Sequence, residues 1–200
     1  IAVNNLRDEN VTHGVFHVGD IMYDAVKMFA NEANAHDLIS NHFPALKKRL
    51  AVLTIHRQAT VDSGRLLESV INYCRRFSRD YSIIFPAHPR TAGRIKELNI
   101  NLGDIKMIEP LAYKSMHALL ASSSLIMTDS GGLQKEAYFH GVRCVTLRNE
   151  TEWVETITAG WNRLWTEDHY RCAPKKIAEY GSGDSAEKMI DILMSKLVSL

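Results

Sequence analysis

From Leu50 onward, short apolar runs alternate with amphipathic stretches. Leu50–Ile55, Tyr81–Phe85, Ile105–Ile108, Leu125–Thr128 and Arg143–Leu147 read as buried strands, with Arg163–Trp165 as a short sixth. The intervening stretches predict helices over Ser63–Phe77, Thr91–Leu98, Tyr113–Ala121, Leu133–His140 and Glu152–Thr158. In the first of these, Leu66, Leu67, Val70, Ile71 and Cys74 fall on one face at helical spacing. Pro174–Tyr180 and Ser185–Leu197 read as terminal helices. Before Leu50, Asn4–Asn10 reads as the end of a helix and Val15–Val18 as a short buried strand stopped by Gly19. Asp20 then caps a helix with Ile21, Ala25, Met28 and Phe29 on its apolar face. Residues 37–49 are polar, contain Pro44, end in Lys47-Lys48-Arg49 and read as a connection.

Apolar strands separated by helices indicate an α/β fold, a Rossmann-like parallel sheet with helices on both faces. In such sheets ligands bind beyond the carboxyl ends of the strands, where the strand order reverses. The residues after successive strands are His56-Arg57, His88-Pro89-Arg90, Glu109-Pro110, Asp129-Ser130-Gly131-Gly132 and Arg148-Asn149-Glu150. Such a rim suits an anionic, hydroxyl-rich ligand. At Ser130-Gly131-Gly132 strand passes to helix. Two glycines there allow a sharp turn and leave no side chain between the helix N-terminus and an anion, with Ser130 or Asp129 as cap. Glu136, one or two turns in, suits sugar hydroxyls. A compact turn with a solvated Glu136 fits the local pattern equally well.

Composition narrows the partners. The 200 residues are 46% hydrophobic, enough for one sizeable domain core. Lys plus Arg number 24 against 23 acidic residues, so no broad field favours nucleic acid or a membrane surface. Cys74, Cys144 and Cys172 are far apart and read as reduced, buried thiols, which fits a cytoplasmic protein. No apolar run reaches the ~18 residues of a membrane span, and the start has no signal-peptide layout. No Cys/His cluster has ligand spacing, so no metal is expected. The first residue is Ile within a helical stretch, which predicts a fragment.

Five segments in order resemble the non-hydrolysing UDP-N-acetylglucosamine 2-epimerases: Thr54–Arg57, His88–Thr91, Glu109–Tyr113, Thr128–Ala137 and Glu150–Glu155. Val18–Ala25 and Tyr180–Asp184 fit as well. The resemblance implies the C-terminal domain of a two-domain glycosyltransferase-B fold. Residues 1–36 would be the tail of the N-terminal domain and a crossing helix, 37–49 the connection, 50–180 the UDP-binding domain and 181–200 a C-terminal helix. It further implies a UDP-sugar substrate, no cofactor and a homodimer. Ser130, Gly131 and Gly132 would seat the diphosphate, Glu136 the ribose, Met116 the uracil face, and His56 would act at the reacting sugar with Arg57 assisting at phosphate. By residues alone, Met116 reads equally as core, His56 as a strand-end histidine bonded to a backbone carbonyl, and His88 and Arg90 as a turn with a solvated arginine.

The implied chemistry is inversion at C2 by anti elimination of UDP and re-addition, with the remaining carboxylates supplied by the N-terminal domain. This chain alone would then bind UDP without full turnover. A glycosyltransferase of the same fold and a non-catalytic nucleotide-sugar binding module remain alternatives. The chain departs from the family pattern at Gln58-Ala59-Thr60, where an acid commonly follows His-Arg. It departs again at Trp153-Val154, where one branch has Arg-Pro and a branch including epimerases of diacetamido-uronic acid sugars has Trp. Trp153 otherwise reads as a packing residue.

Overall fold

The computed structural model describes residues 1–30, 36–44 and 47–197. Positions 31–35 of the tail, 45–46 of the connection and 198–200 of the last segment lie outside the described residues. The elements in order are α1 (Ala2–Asp8), α2 (Ile21–Ala30), α3 (His36–His42), β1 (Arg49–Thr54), α4 (Gln58–Asp62), α5 (Gly64–Arg75), β2 (Tyr81–Pro86), α6 (Pro89–Glu97), β3 (Lys106–Ile108), α7 (Tyr113–Ala121), β4 (Leu125–Thr128), α8 (Gly131–Phe139), β5 (Cys144–Thr146), α9 (Val154–Thr158), β6 (Asn162–Leu164) and α10 (Ser185–Leu197). They fall into two compact units, residues 29–176 and residues 1–28 with 177–200.

The larger unit is a six-stranded sheet in the order β3-β2-β1-β4-β5-β6 with every pair parallel. Alternation along β1 divides the core. Ala51 and Leu53 face a layer containing Val61 of α4, Leu67, Val70, Ile71 and Cys74 of α5, and Ile95 of α6. Leu50 and Val52 face Leu119 and Leu120 of α7, Ala137 of α8, and partly buried Leu38 and Ile39 of α3. Helices therefore cover both faces, the condition under which a parallel sheet is stable. The order reverses between β1 and β4, where Thr54 pairs with Thr128 in register and their buried hydroxyls bond at 2.6 Å.

Five expectations need correction. Val15–Val18 is no strand: among the described residues it has no ladder partner, Phe16 is exposed, and His17 bonds instead to the Glu179 carbonyl. The expected apolar face of α2 is also wrong, since Ile21 and Met28 are exposed and the helix buries Val26. Pro174–Tyr180 forms only a 3₁₀ turn at Ala178–Tyr180. Cys172 is partly exposed in a loop, its thiol bonded to the Thr158 carbonyl, whereas Cys74 and Cys144 are fully buried. The reading at 37–49 missed α3.

In the smaller unit two segments that carry the resemblance, Val18–Ala25 and Tyr180–Asp184, meet. Asp20 caps α2 through the Met22 amide at 2.9 Å, and the Asp20 amide donates to the Tyr180 carbonyl. Gly19, at φ +99°, makes this approach possible: a Cβ there would lie 2.7 Å from Ser185 Oγ and 3.0 Å from the Tyr180 oxygen.

Candidate functional site

The carboxyl ends of β1 and β4 carry the chemistry, and one side chain organises them. Asp129 is fully buried. Its carboxylate accepts the backbone N–H of His56 at 3.0 Å and of Arg57 at 2.9 Å, and meets His56 Nδ1 at 3.1 Å. A residue ending β4 thus shapes the loop that leaves β1. The Asp129 hydrogen bond raises the His56 pKa above its ordinary 6.5 against the opposing effect of burial. The expected bond from His56 to a backbone carbonyl is replaced by this carboxylate. Thr91 of α6 anchors the same strand end by donating to the Ile55 carbonyl.

Ser130, not Asp129, caps α8, accepting from the Leu133 amide at 3.4 Å, while its own amide donates to Thr128 Oγ1. The first two N–H groups of the helix belong to Gly131 and Gly132 and have no acceptor within it. Neither glycine adopts a left-handed conformation, so the turn itself does not require them. The space is the more telling feature. A Cβ on Gly131 would sit 3.5 Å from the Arg57 guanidinium, 3.6 Å from Trp153 Nε1 and 3.8 Å from a Glu152 oxygen.

Those three residues form the wall beside the turn. Arg57 Nε donates to the Asp129 carbonyl, and its Nη2 reaches Glu152 at 3.2 Å. Arg148 holds the same carboxylate through bonds of 2.7 and 2.9 Å, pulling the Glu152 pKa down to about 2. Trp153 does more than pack: its indole N–H donates to the Gly131 carbonyl at 2.8 Å, and Lys135 Nζ lies 4.1 Å from the ring centroid. Gln134, fully buried, ties the turn to the wall. Its amide donates to the Ser130 carbonyl and accepts from Thr146 and Thr151 hydroxyls. Gln58-Ala59-Thr60, where the family pattern breaks, begin the short helix α4.

A cleft of about 200 Å³ opens at the switch point, lined by His56, His88, Met116, Ser130, Leu133 and neighbouring apolar residues. It brings together four of the residues singled out from the sequence. Arg57, Gly131 and Gly132 lie at its edge beside Ser130, and Glu136 follows Leu133 by one turn of α8. Arg90 pairs with Asp62, and His88 Nδ1 accepts the Arg90 amide as the cap of α6. Glu136 is largely buried, with His117 Nε2 3.5 Å from its Oε1. Sequence reasoning passed over Asp129 as a loop organiser, Glu152 and Arg148 as an ion-paired wall, and His117. The places of Asp129 and Arg148 just after strands were the one hint, and His117 gave none.

Strand order, helices on both faces and a polar rim at the switch point define a Rossmann-like domain of the glycosyltransferase-B type. The chain belongs to the UDP-N-acetylglucosamine 2-epimerase family, whose model matches residues 1–194. A UDP-N-acetylglucosamine 2-epimerase homolog from Methanococcus maripaludis is 37% identical over 94% of this chain and 57% of its own length. UDP-2,3-diacetamido-2,3-dideoxy-D-glucuronate 2-epimerase of Pseudomonas aeruginosa is 35% identical over 82% of this chain and 46% of its own. The crystal structure of Methanocaldococcus jannaschii UDP-GlcNAc 2-epimerase in complex with UDP-GlcNAc and UDP aligns with a TM-score of 0.79 at 33% identity, covering 98% of this chain and 59% of that one. The chain therefore spans less than two thirds of each of these relatives.

Proposed function

We propose that this chain is the UDP-binding part of a non-hydrolysing UDP-2-acetamido-sugar 2-epimerase. The observation that carries this reading is the convergence of His56, Met116 and Ser130 on one cleft beside the uncapped amides of Gly131 and Gly132. In this reading the diphosphate lies on the N-terminus of α8, Glu136 accepts the ribose hydroxyls, and Met116 packs on uracil. Residues 1–36 serve as the tail of a preceding domain and 37–49 as the connection. His88 and Arg90 contribute to the rim.

The chemistry requires an anion to be stabilised as it leaves. When a base removes the C2 proton and UDP departs from C1, charge grows on the β-phosphate. Fixed N–H donors at Gly131 and Gly132, with Arg57 alongside, meet that charge without reorganising. Re-addition of UDP to the glycal, with protonation of C2 from the other face, completes the inversion. His56, held by Asp129, takes part in the proton traffic at the sugar; carboxylates flanking C2 come from the rest of the protein. This uses no redox cofactor, and the functional form is a cytoplasmic homodimer.

Trp153, standing where a family branch has Arg-Pro, and the likeness to the Pseudomonas aeruginosa relative support a second reading of the sugar, a UDP-diacetamido-uronate in place of UDP-N-acetylglucosamine. Calorimetric titration with UDP tests the reading. Saturable binding that is lost in Ser130→Ala and in Glu136→Ala supports it; a folded wild-type chain that takes up no UDP refutes it. Competition between the two UDP-sugars then distinguishes the substrates.

A further inference from the structure

Behind the proposed ribose carboxylate lie two histidines that this reading leaves unused. Glu136 and His140 stand one turn apart on α8, and His117 of α7 bridges them. His117 is 1% exposed. Its Nε2 is 3.5 Å from Glu136 Oε1, and its Nδ1 is 2.8 Å from His140 Nε2. The Tyr113 ring covers the imidazole at 4.1 Å between centroids.

Hydrogen-bond chemistry fixes the proton that faces Glu136. A carboxylate only accepts, so a proton on His117 Nε2 satisfies that contact, whereas the opposite tautomer would set two lone pairs against each other. Nδ1 of His117 pairs with His140 Nε2 across a bond that takes one proton, from either ring. Burial lowers the His140 pKa to about 4, so His140 is neutral and carries a single ring proton.

We propose that His117 is a positioning residue for the nucleotide's ribose: its Nε2–H, oriented by His140, holds the Glu136 carboxylate in the rotamer that receives the ribose hydroxyls. The inference rests on the UDP-binding reading above. The 3.5 Å contact is at the outer limit of a hydrogen bond and shortens to a good one when the ligand completes the site. The gain is preorganisation, since a carboxylate already aimed at its ligand loses little rotamer freedom on binding.

The probe pair is UDP and 2′,3′-dideoxy-UDP, titrated by calorimetry into wild-type, Glu136→Gln, His117→Phe and His117→Gln chains. The wild-type chain prefers UDP. His117→Phe keeps the ring volume but not the donor, and its preference falls about tenfold, the scale of one hydrogen bond to a charged group, with dideoxy-UDP affinity unchanged. His117→Gln, which retains an N–H at similar reach, keeps most of the preference. A purely structural histidine predicts equal losses for both ligands, and that result overturns the role. Should His117→Phe not fold, imidazole ¹⁵N spectra of the wild-type chain decide: a protonated His117 Nε2 that shifts with UDP but not with dideoxy-UDP supports the proposal, and a bare Nε2 refutes it. A wild-type chain that ignores UDP overturns both readings. One whose preference depends on Glu136 but survives in His117→Phe overturns the positioning role alone.

Discussion

Replacing Asp129 by Asn tests how the two strand ends at the switch point are joined. In the wild type the carboxylate offers only lone pairs to the His56 amide, the Arg57 amide and His56 Nδ1. Asn has the same shape but turns one acceptor oxygen into an NH₂ group that faces an N–H donor. A buried donor left unpaired costs about 1–3 kcal/mol, so Asp129→Asn should lower unfolding stability by that much. Asp129→Ala strands both amides and should cost roughly 2–5 kcal/mol on the same reasoning. Urea denaturation measures both.

The ion pair adds a pH signature. Asp129 raises His56 above 6.5, so the pair's contribution is fully present below that value and is lost as pH rises through the folded pKa. Half exposure of the imidazole limits it to at most about 1 kcal/mol. His140 acts with opposite sign: its pKa is lowered to about 4, so stability falls as pH drops from 6.5 toward that value. The wild-type minus Asp129→Asn difference separates the two, because His140 is common to both. NMR titration of His56 gives the direct readout, a pKa above 6.5 in the wild type that falls in Asp129→Asn. An unchanged His56 titration, or a variant as stable as the wild type, would refute the proposed coupling between the strand ends.

Gln134→Leu is nearly isosteric but removes the partners of the Ser130 carbonyl and of the Thr146 and Thr151 hydroxyls; denaturation should show a loss of ~2–4 kcal/mol from these unpaired groups. Trp153→Phe keeps a ring near Lys135 but loses the bond to the Gly131 carbonyl, and should cost about 1 kcal/mol, whereas Trp153→Ala costs more because the cation contact goes too. Thiol alkylation of the native chain should modify Cys172 first, since burial pushes the Cys74 pKa up and raises that of Cys144 to about 12; mass spectrometry finding Cys74 or Cys144 labelled as fast would contradict the packing.

What the sequence determined by itself was periodicity and order. Apolar runs covered on both faces become parallel strands, so β1 to β6 and the helices between them, apart from the short α4, could be read from local pattern to within a few residues. The Ser-Gly-Gly helix start was legible because its chemistry is local: cap, free amides and missing side chains lie within four residues. The same pattern misled at Val15–Val18, where an apolar run without a neighbouring strand stays irregular, and along α2, whose buried side depends on what packs against it.

Tertiary structure decided what depends on partners distant in sequence. Asp129 looked like a helix cap until the sheet placed two amides 72 and 73 residues away against its carboxylate. Trp153 looked like packing until its indole met the Gly131 carbonyl. His117 gave no signal in sequence, because its partners lie on another helix and only the packing of α7 against α8 brings an imidazole to Glu136. Periodicity is a property of neighbours along the chain, whereas tautomer, ion pairing and proton affinity belong to neighbours in space.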